Sequence, residues 1–281
     1  MITHPNCKIN IGLNILARRP DGYHDIESLF FPVPLCDELE INAVEGYSEA
    51  KIRRFDIQGI AIDCATEDNI VAKAYRLLRD TYPGKIGAVD IRLQKNIPFQ
   101  AGLGGGSSDA AFALKMLNRL FGLGLDADTM RRHALRLGAD CPFFIDNRPA
   151  IASGIGDTLS PVDFDLSAYA LMIVKPTDTV STKEAYANVV PVPDATPIGD
   201  AVAQPITSWQ TTVTNQFERS VFPQHPTLAK IKQELYVHGA LYASMSGSGS
   251  AIYALFPKTA PLHDISATFG NRSDIYKTYT V

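Results

Sequence analysis

The stretch Pro98-Phe99-Gln100-Ala101-Gly102-Leu103-Gly104-Gly105-Gly106-Ser107-Ser108-Asp109-Ala110-Ala111 constrains this chain more than any other. Its four glycines lack Cβ atoms, so backbone N–H groups can close around a ligand. Ser107 and Ser108 offer N-cap hydroxyls. Behind them Ala110, Ala113, Leu114, Leu117, Leu120 and Phe121 share one helical face, which predicts a helix over 107–121. A glycine-rich loop feeding a helix N-terminus is an anion site, because unpaired N–H groups and the helix dipole both point at it. A nucleotide phosphate is the expected ligand. The spacing excludes two common phosphate loops. No Gly-Lys-Ser/Thr follows, as a Walker A loop requires, and G-x-G-x-x-G fails because its last position falls on Ser107 or Asp109. The plainer alternative is a flexible surface loop before an ordinary helix.

With 281 residues, 46% of them hydrophobic, the chain can build one large or two medium globular cores. The net charge of −4 and the lack of any basic run argue against a nucleic-acid binder. Cys7, Cys36, Cys64 and Cys141 are scattered, with no C-x-x-C or Cys/His cluster. Reduced thiols in a cytoplasmic protein are therefore expected, without zinc or a disulfide framework. Residues 1–8 do not read as a signal peptide, and no 18-residue apolar run suggests a membrane partner.

Residues 7–16 alternate strictly. Cys7, Ile9, Ile11, Leu13 and Ile15 face one side, and Lys8, Asn10, Gly12 and Asn14 the other, which predicts a half-buried strand. Arg18–Gly22 has Pro-Asp-Gly turn chemistry, and 26–44 is extended. Helical spacing covers 69–80, and alternation predicts a strand over 87–95. A second helix runs from Asp128 to Leu137, with Gly138 as its stop. Apolar Phe143-Phe144-Ile145 suggests a strand, as does 169–175. Residues 190–208, rich in Pro, Thr, Ala and Asp, read as a long loop or irregular insertion. Residues 227–237 are helical, and 240–256 read as strand, Gly-Ser loop, strand. A change of composition near 160 suggests domains 1–158 and 159–281.

Lys8 on the polar face could be a solvated lysine, or could line a cleft with Asn10 and Asn14. Asp140, just past the helix stop, could be a turn aspartate or a rigidly held carboxylate. Tyr23-His24 could be surface packing, or a platform that stacks on a ring and bonds its edge. Residues 244–250 could simply join two strands, or supply a second set of backbone donors near a phosphate. No G-x-S-x-G or H-E-x-x-H pattern points to a hydrolase.

Taken together, Pro98–Ala111, Leu137–Phe144 and Ser244–Ala251 resemble the three motifs of the GHMP small-molecule kinase superfamily. Lys8–Leu13 followed by Arg19-Pro20-Asp21-Gly22-Tyr23-His24 is similar to its cytidyl-sugar kinase branch in the non-mevalonate isoprenoid pathway. The resemblance implies an α+β, two-domain GHMP kinase fold. Its N-terminal ATP-binding domain would be ribosomal-protein-S5-domain-2-like, and its C-terminal domain ferredoxin-like. It further implies ATP and Mg²⁺ as cofactors and a cytidyl-sugar-alcohol as the small-molecule partner. Pro98 through Ser108 (Pro98, Phe99, Gln100, Ala101, Gly102, Leu103, Gly104, Gly105, Gly106, Ser107 and Ser108) would wrap the triphosphate, with Asn69 and Lys95 around adenine. Lys8 and Asp140 would be the catalytic pair. Asn10, Tyr23, His24, Phe30, Ile155, Thr182 and Tyr186 would hold the substrate, its cytosine between Tyr23 and Tyr186. The sequence sets neither the Mg²⁺ ligands nor the oligomeric state. A nucleotide-binding protein without catalysis is the competing class. The presence of both Lys8 and Asp140 argues against it.

Overall fold

The computed structural model describes residues 1–47, 49–62, 64–270 and 276–280. From the N-terminus come β1 (Ile2–Thr3), β2 (Asn6–Arg18), β3 (His24–Cys36), β4 (Glu38–Ala43) and β5 (Ile52–Gly59). Then follow α1 (Ile70–Thr81), β6 (Val89–Lys95), α2 (Gly105–Leu120), α3 (Ala127–Leu135) and the single turn α4 (Phe143–Asp146). Strands β7 (Ala150–Ser153), β8 (Thr158–Pro161) and β9 (Tyr169–Pro176) lead into α5 (Thr182–Ala187), α6 (Ile198–Val202), α7 (Trp209–Thr212) and α8 (Glu218–Val221). The chain closes with α9 (Pro226–Val237), β10 (Tyr242–Met245), β11 (Ile252–Pro257), α10 (Leu262–Gly270) and β12 (Tyr276–Thr280). The result is an α+β fold divided into two compact units.

The first unit comprises 1–7, 34–99 and 104–148. Its sheet has the order β1-β4-β6-β5, with β5 and β6 parallel and the other pairs antiparallel. Helix α2 packs on β4, α1 and α4. It buries Ala110, Ala113, Leu114 and Leu117, as its periodicity predicts. The helix starts two residues earlier than expected. Gly104, at φ +69°, turns the chain into Gly105, so Ser107 and Ser108 lie inside the first turn and do not cap it. Helix α3 is capped by the Asp126 side chain, which accepts from Thr129 N–H at 2.7 Å. It ends at Leu135, and Gly138 closes the turn with its N–H on Ala134 O at 3.2 Å. Phe143-Phe144-Ile145 is helical rather than extended. Pro142 starts the turn and all three side chains are buried, so a short apolar run gave no period to tell the two apart.

The second unit comprises 8–33, 100–103 and 149–281. One sheet has the order β2-β3-β7-β8 and the other β10-β11-β9-β12. In the second sheet β9 pairs antiparallel with both β11 and β12, and α9 covers β9, β10 and β11. Leu228, Ile231 and Leu235 of α9 join Met172, Val174, Ala254 and Phe256 in one core. Strand β2 departs from the half-buried expectation. Its apolar row is buried, and so are Lys8, Asn10 and Asn14. Residues 196–216 lie over Gly12–Asn14 of that strand. Asn14 donates to Thr196 O at 2.9 Å, and Leu13 N–H to Thr214 O at 2.9 Å. A Cβ on Gly12 would stand 2.7 Å from Ile198 Cδ1. The Pro-rich stretch 190–208 is thus not a plain loop. It carries α6 and packs its Ile198 onto β2.

Candidate active site

In the first unit several predicted residues lie around the start of α2. The N–H groups at the head of a helix have no carbonyl partner within it, so Gly105, Gly106 and Ser107 present donors in a cluster. Close packing sets this end. A Cβ on Gly105 would lie 2.8 Å from Ile97 Cγ2, whereas one on Gly106 would lie 3.8 Å from Ile70 and clash with nothing. Ile70 opens α1, so the heads of α1 and α2 are neighbours. Asn69 caps α1 by accepting Val71 N–H at 2.9 Å. Asp140, half-buried, precedes Cys141, whose thiol meets the Ser107 hydroxyl on α2. Burial pushes that thiol up to about 12, so it stays protonated and inert as a nucleophile. Lys95 sends its ammonium into Asp37 and, at 2.6 Å, into Asp109. Burial alone would lower its affinity for a proton, but the two carboxylates outweigh burial and hold it above the ordinary lysine range. Pro98 is buried, while Phe99 is exposed.

In the second unit Lys8 is 3% exposed and Asn10 2%. Lys8 Nζ donates to Asn10 Oδ1, and the Phe30 ring centroid is 4.5 Å from that ammonium. Asn10 Nδ2 donates to Ser28 Oγ at 2.9 Å, and Ser28 Oγ donates to Gly12 O at 2.6 Å. The Asn10 backbone is held too. Its N–H donates to Ser246 Oγ at 3.2 Å, and its carbonyl accepts from Tyr253 OH at 2.9 Å. Ser246 Oγ passes its own proton to Gly102 O at 2.9 Å. The Gly102 side of the predicted phosphate loop and the second Gly-Ser loop are therefore locked together. Gly102 has φ +72°, and a Cβ there would stand 1.9 Å from Ser246 O, so no other residue fits. Gln100 (φ 50°) also takes the left-handed region, Ala101 O accepts from Ala251 N–H at 3.2 Å, and Leu103 O accepts Lys8 N–H at 2.9 Å.

The predicted substrate residues form a second group in this unit. His24 stacks on Tyr186, with ring centroids 4.7 Å apart and planes 21° from parallel. Phe217 meets Tyr186 at 89° and 4.7 Å. Tyr23 stands 61% exposed at the turn that Arg19 holds through Asp21 and Asp25. A base stacked on Tyr186 must use the ring face away from His24, or move His24. Burial first, and Arg18 second, lower the His24 proton affinity, which favours the neutral ring. Thr182 starts α5, with its hydroxyl 3.4 Å from Ser248 Oγ, and Ile155 is half-buried in the turn between β7 and β8.

Ser28, Ser246 and Asp109 escaped the sequence reading as functional residues. Ser246 sat inside a flagged Gly-Ser loop, but its partner Gly102 is 144 positions away, and no local pattern announces such a pair.

The fold and two family matches are those of a small-molecule kinase of the GHMP class. The family model for the GHMP kinase N-terminal domain matches residues 69–148, and that for the C-terminal domain matches 199–271. A 4-diphosphocytidyl-2-C-methyl-D-erythritol kinase of Parabacteroides distasonis is 48% identical over 263 residues, 94% of this chain and 93% of that protein. One from Bacteroides thetaiotaomicron is 49% identical over 258 residues, 91% of this chain and 92% of that protein. The crystal structure of a 4-(cytidine 5'-diphospho)-2C-methyl-D-erythritol kinase superposes with a TM-score of 0.82 at 31% identity, covering 100% of this chain and 98% of that one. A mevalonate kinase structure, TM-score 0.74 at 11% identity, shares the fold. The chain belongs to the 4-diphosphocytidyl-2-C-methyl-D-erythritol kinase family of phosphotransferases with an alcohol acceptor. No helix among the described residues is long and apolar enough to cross a membrane.

Proposed function

We propose that this chain transfers the γ-phosphoryl group of ATP to the 2-hydroxyl of 4-diphosphocytidyl-2-C-methyl-D-erythritol, in the cytoplasm. The observation that carries the chemistry is Lys8, a lysine buried beside Phe30 and oriented by Asn10 rather than solvated. Burying an ammonium is costly, so a lysine held inside the fold at this place points to a use for its charge. Phosphoryl transfer is mostly positioning and charge stabilisation. In this reading the N–H groups at the head of α2 hold the β- and γ-phosphates, and Asn69 lies toward adenine. Lys8 offsets charge on the moving phosphoryl group. Asp140 orients the acceptor hydroxyl and takes its proton late, as a loose transition state requires. Tyr23, His24, Thr182, Tyr186, Phe30 and Ile155 hold the cytidyl alcohol, with His24 reading the edge of the base.

Mg²⁺ belongs to the same proposal. The described residues contain no group of three or more His, Cys, Asp or Glu suited to a metal, which fits an ion held mainly by phosphate oxygens. The Ser108 hydroxyl, buried with no hydrogen-bond partner, is one protein oxygen suited to complete its shell. When bound, the ion would neutralise charge on the β- and γ-phosphates.

The division into an S5-domain-2-like ATP-binding domain over 1–158 and a ferredoxin-like domain over 159–281 is likewise proposed. It is supported by family matches on either side of that boundary. An assay of ADP release against a panel of alcohols tests the function. Turnover that depends on the cytidyl alcohol, and that CMP inhibits in competition with it, is expected. ATP binding without turnover on any alcohol would instead mark a nucleotide sensor.

A further inference from the structure

Asp37, Lys95 and Asp109 form a buried ionic triad in the first unit, none of the three more than 4% exposed. Lys95 ends β6, three residues before Pro98. Asp109 is the fifth residue of α2, just after the glycine run. The segment before the phosphate loop and the helix after it are therefore joined through one ammonium. Asp37, at the corner between β3 and β4, fastens the leading segment a second time. Its Oδ1 accepts from Asn96 N–H at 2.6 Å and from Ile97 N–H at 2.8 Å. Ile97 is the residue that packs against Gly105. The chain from Lys95 to Ile97 and the head of α2 thus share one frame.

The fold has no need of charge here. Apolar residues of similar volume would hold the same elements at no desolvation cost, and replacing buried ion pairs in that way is often neutral or stabilising. What apolar packing lacks is direction. Three hydrogen-bonded charges fix distances and angles, and phosphate-binding N–H groups need fixed angles. We propose that Asp109 and Asp37, acting through Lys95, are positioning residues that hold the head of α2 in register for the nucleotide triphosphate. Burial first pushes the Asp109 carboxyl up, the Lys95 ammonium pulls it back down, and the charge of Asp37 raises it again.

This inference rests on the kinase reading above, so its test separates the two. ATP affinity is measured by calorimetric titration, without the alcohol, on the parent chain and on Asp109→Leu, Asp109→Asn and the double variant Lys95→Met/Asp109→Leu. Asp109→Leu removes the acceptor and is expected to weaken ATP binding about tenfold or more, with the KM for the alcohol within about threefold. Asp109→Asn keeps an oxygen for Lys95 and is expected to stay within about threefold of the parent. The double variant replaces the ion pair with apolar side chains. It is expected to fold, by its melting temperature, yet to bind ATP as weakly as Asp109→Leu. If Asp109→Leu does not fold, the double variant decides. ATP affinity within about twofold of the parent in whichever leucine variant folds overturns the positioning role. A parent that does not bind ATP overturns the kinase reading instead.

Discussion

Lys8 and Asn10 sit two positions apart on one face of β2, and the Lys8 ammonium donates to the Asn10 carboxamide oxygen. The pair is buried, and the rest of the Asn10 amide is spent on Ser28. Asn10 therefore sets the direction of Lys8. Asn10→Ala should lower kcat about tenfold while the KM for ATP stays within about threefold, because the charge survives and only its aim is lost. Ser28 loses its donor in the same variant, which should cost about 1–3 kcal/mol of stability in a denaturant titration. An unchanged kcat would show that Lys8 needs no guide.

The two glycine positions 102 and 106 should behave oppositely. At Gly102 the backbone is left-handed and the Ser246 carbonyl occupies the place of a Cβ, so Gly102→Ala should destabilise the chain by more than the 1 kcal/mol or so of backbone strain alone. At Gly106 the backbone is helical and the nearest atom is 3.8 Å away. Gly106→Ala should raise stability by about 0.5–1 kcal/mol and weaken ATP binding, because the methyl stands beside the N–H donors. Thermal melts and ATP titrations of the two variants check this. A stabilised Gly102→Ala would contradict the packing described.

In the proposed substrate site the Tyr186 ring would take the base, and His24 covers one of its faces. Tyr186→Ala should raise the KM for the cytidyl alcohol with little change in kcat, since stacking is lost equally from ground and transition states. Steady-state kinetics at saturating ATP would read it, and a loss confined to kcat would rule out stacking.

Burial first, then Arg136 and Arg132, lower the proton affinity of His133, which shares a hydrogen bond with Tyr82 OH at 2.8 Å. In the unfolded chain this histidine takes a proton near its ordinary value of 6.5, whereas in the folded chain it does so only at lower pH. The unfolded state therefore binds more protons as pH falls below 6.5, and stability drops there. Unfolding free energies at pH 7.5 and 5.5 should differ less in His133→Gln than in the parent. Equal differences would remove His133 as a contributor.

Ile198 plugs the gap over Gly12, where β2 has no side chain of its own. Ile198→Ala should cost about 2–4 kcal/mol and leave ATP affinity unchanged. A neutral outcome in chemical denaturation would mean that 190–208 does not seal β2.

The elements with a clear period were legible in the sequence. Strand β2, helix α1, strand β6, helix α9 and the β10–β11 pair all fall where alternation or helical spacing put them. The burial of Lys8 and Asn10 was not, because the groups that meet them come from β3, as Phe30 and Ser28, and from a loop 236 positions away, as Ser246. The start of α2 was misplaced because serines are common caps and nothing local shows that Gly104 would turn left-handed. Phe143–Ile145 is too short to carry a period. Lys95 was singled out by family resemblance alone. Its partners Asp37 and Asp109 lie 58 and 14 positions away, and only the folded chain brings them together.

The most direct measurement follows the phosphorus atom. The parent chain and Asp140→Asn are each incubated with ATP, Mg²⁺ and 4-diphosphocytidyl-2-C-methyl-D-erythritol, and the products are read by phosphorus NMR. The parent should yield ADP and one new phosphomonoester at the 2-hydroxyl of the alcohol. Asp140→Asn should form it about 10²-fold more slowly while binding ATP as tightly as the parent. ATP left unchanged by the parent, a phosphoryl group on a different hydroxyl, or full speed in Asp140→Asn would contradict the account.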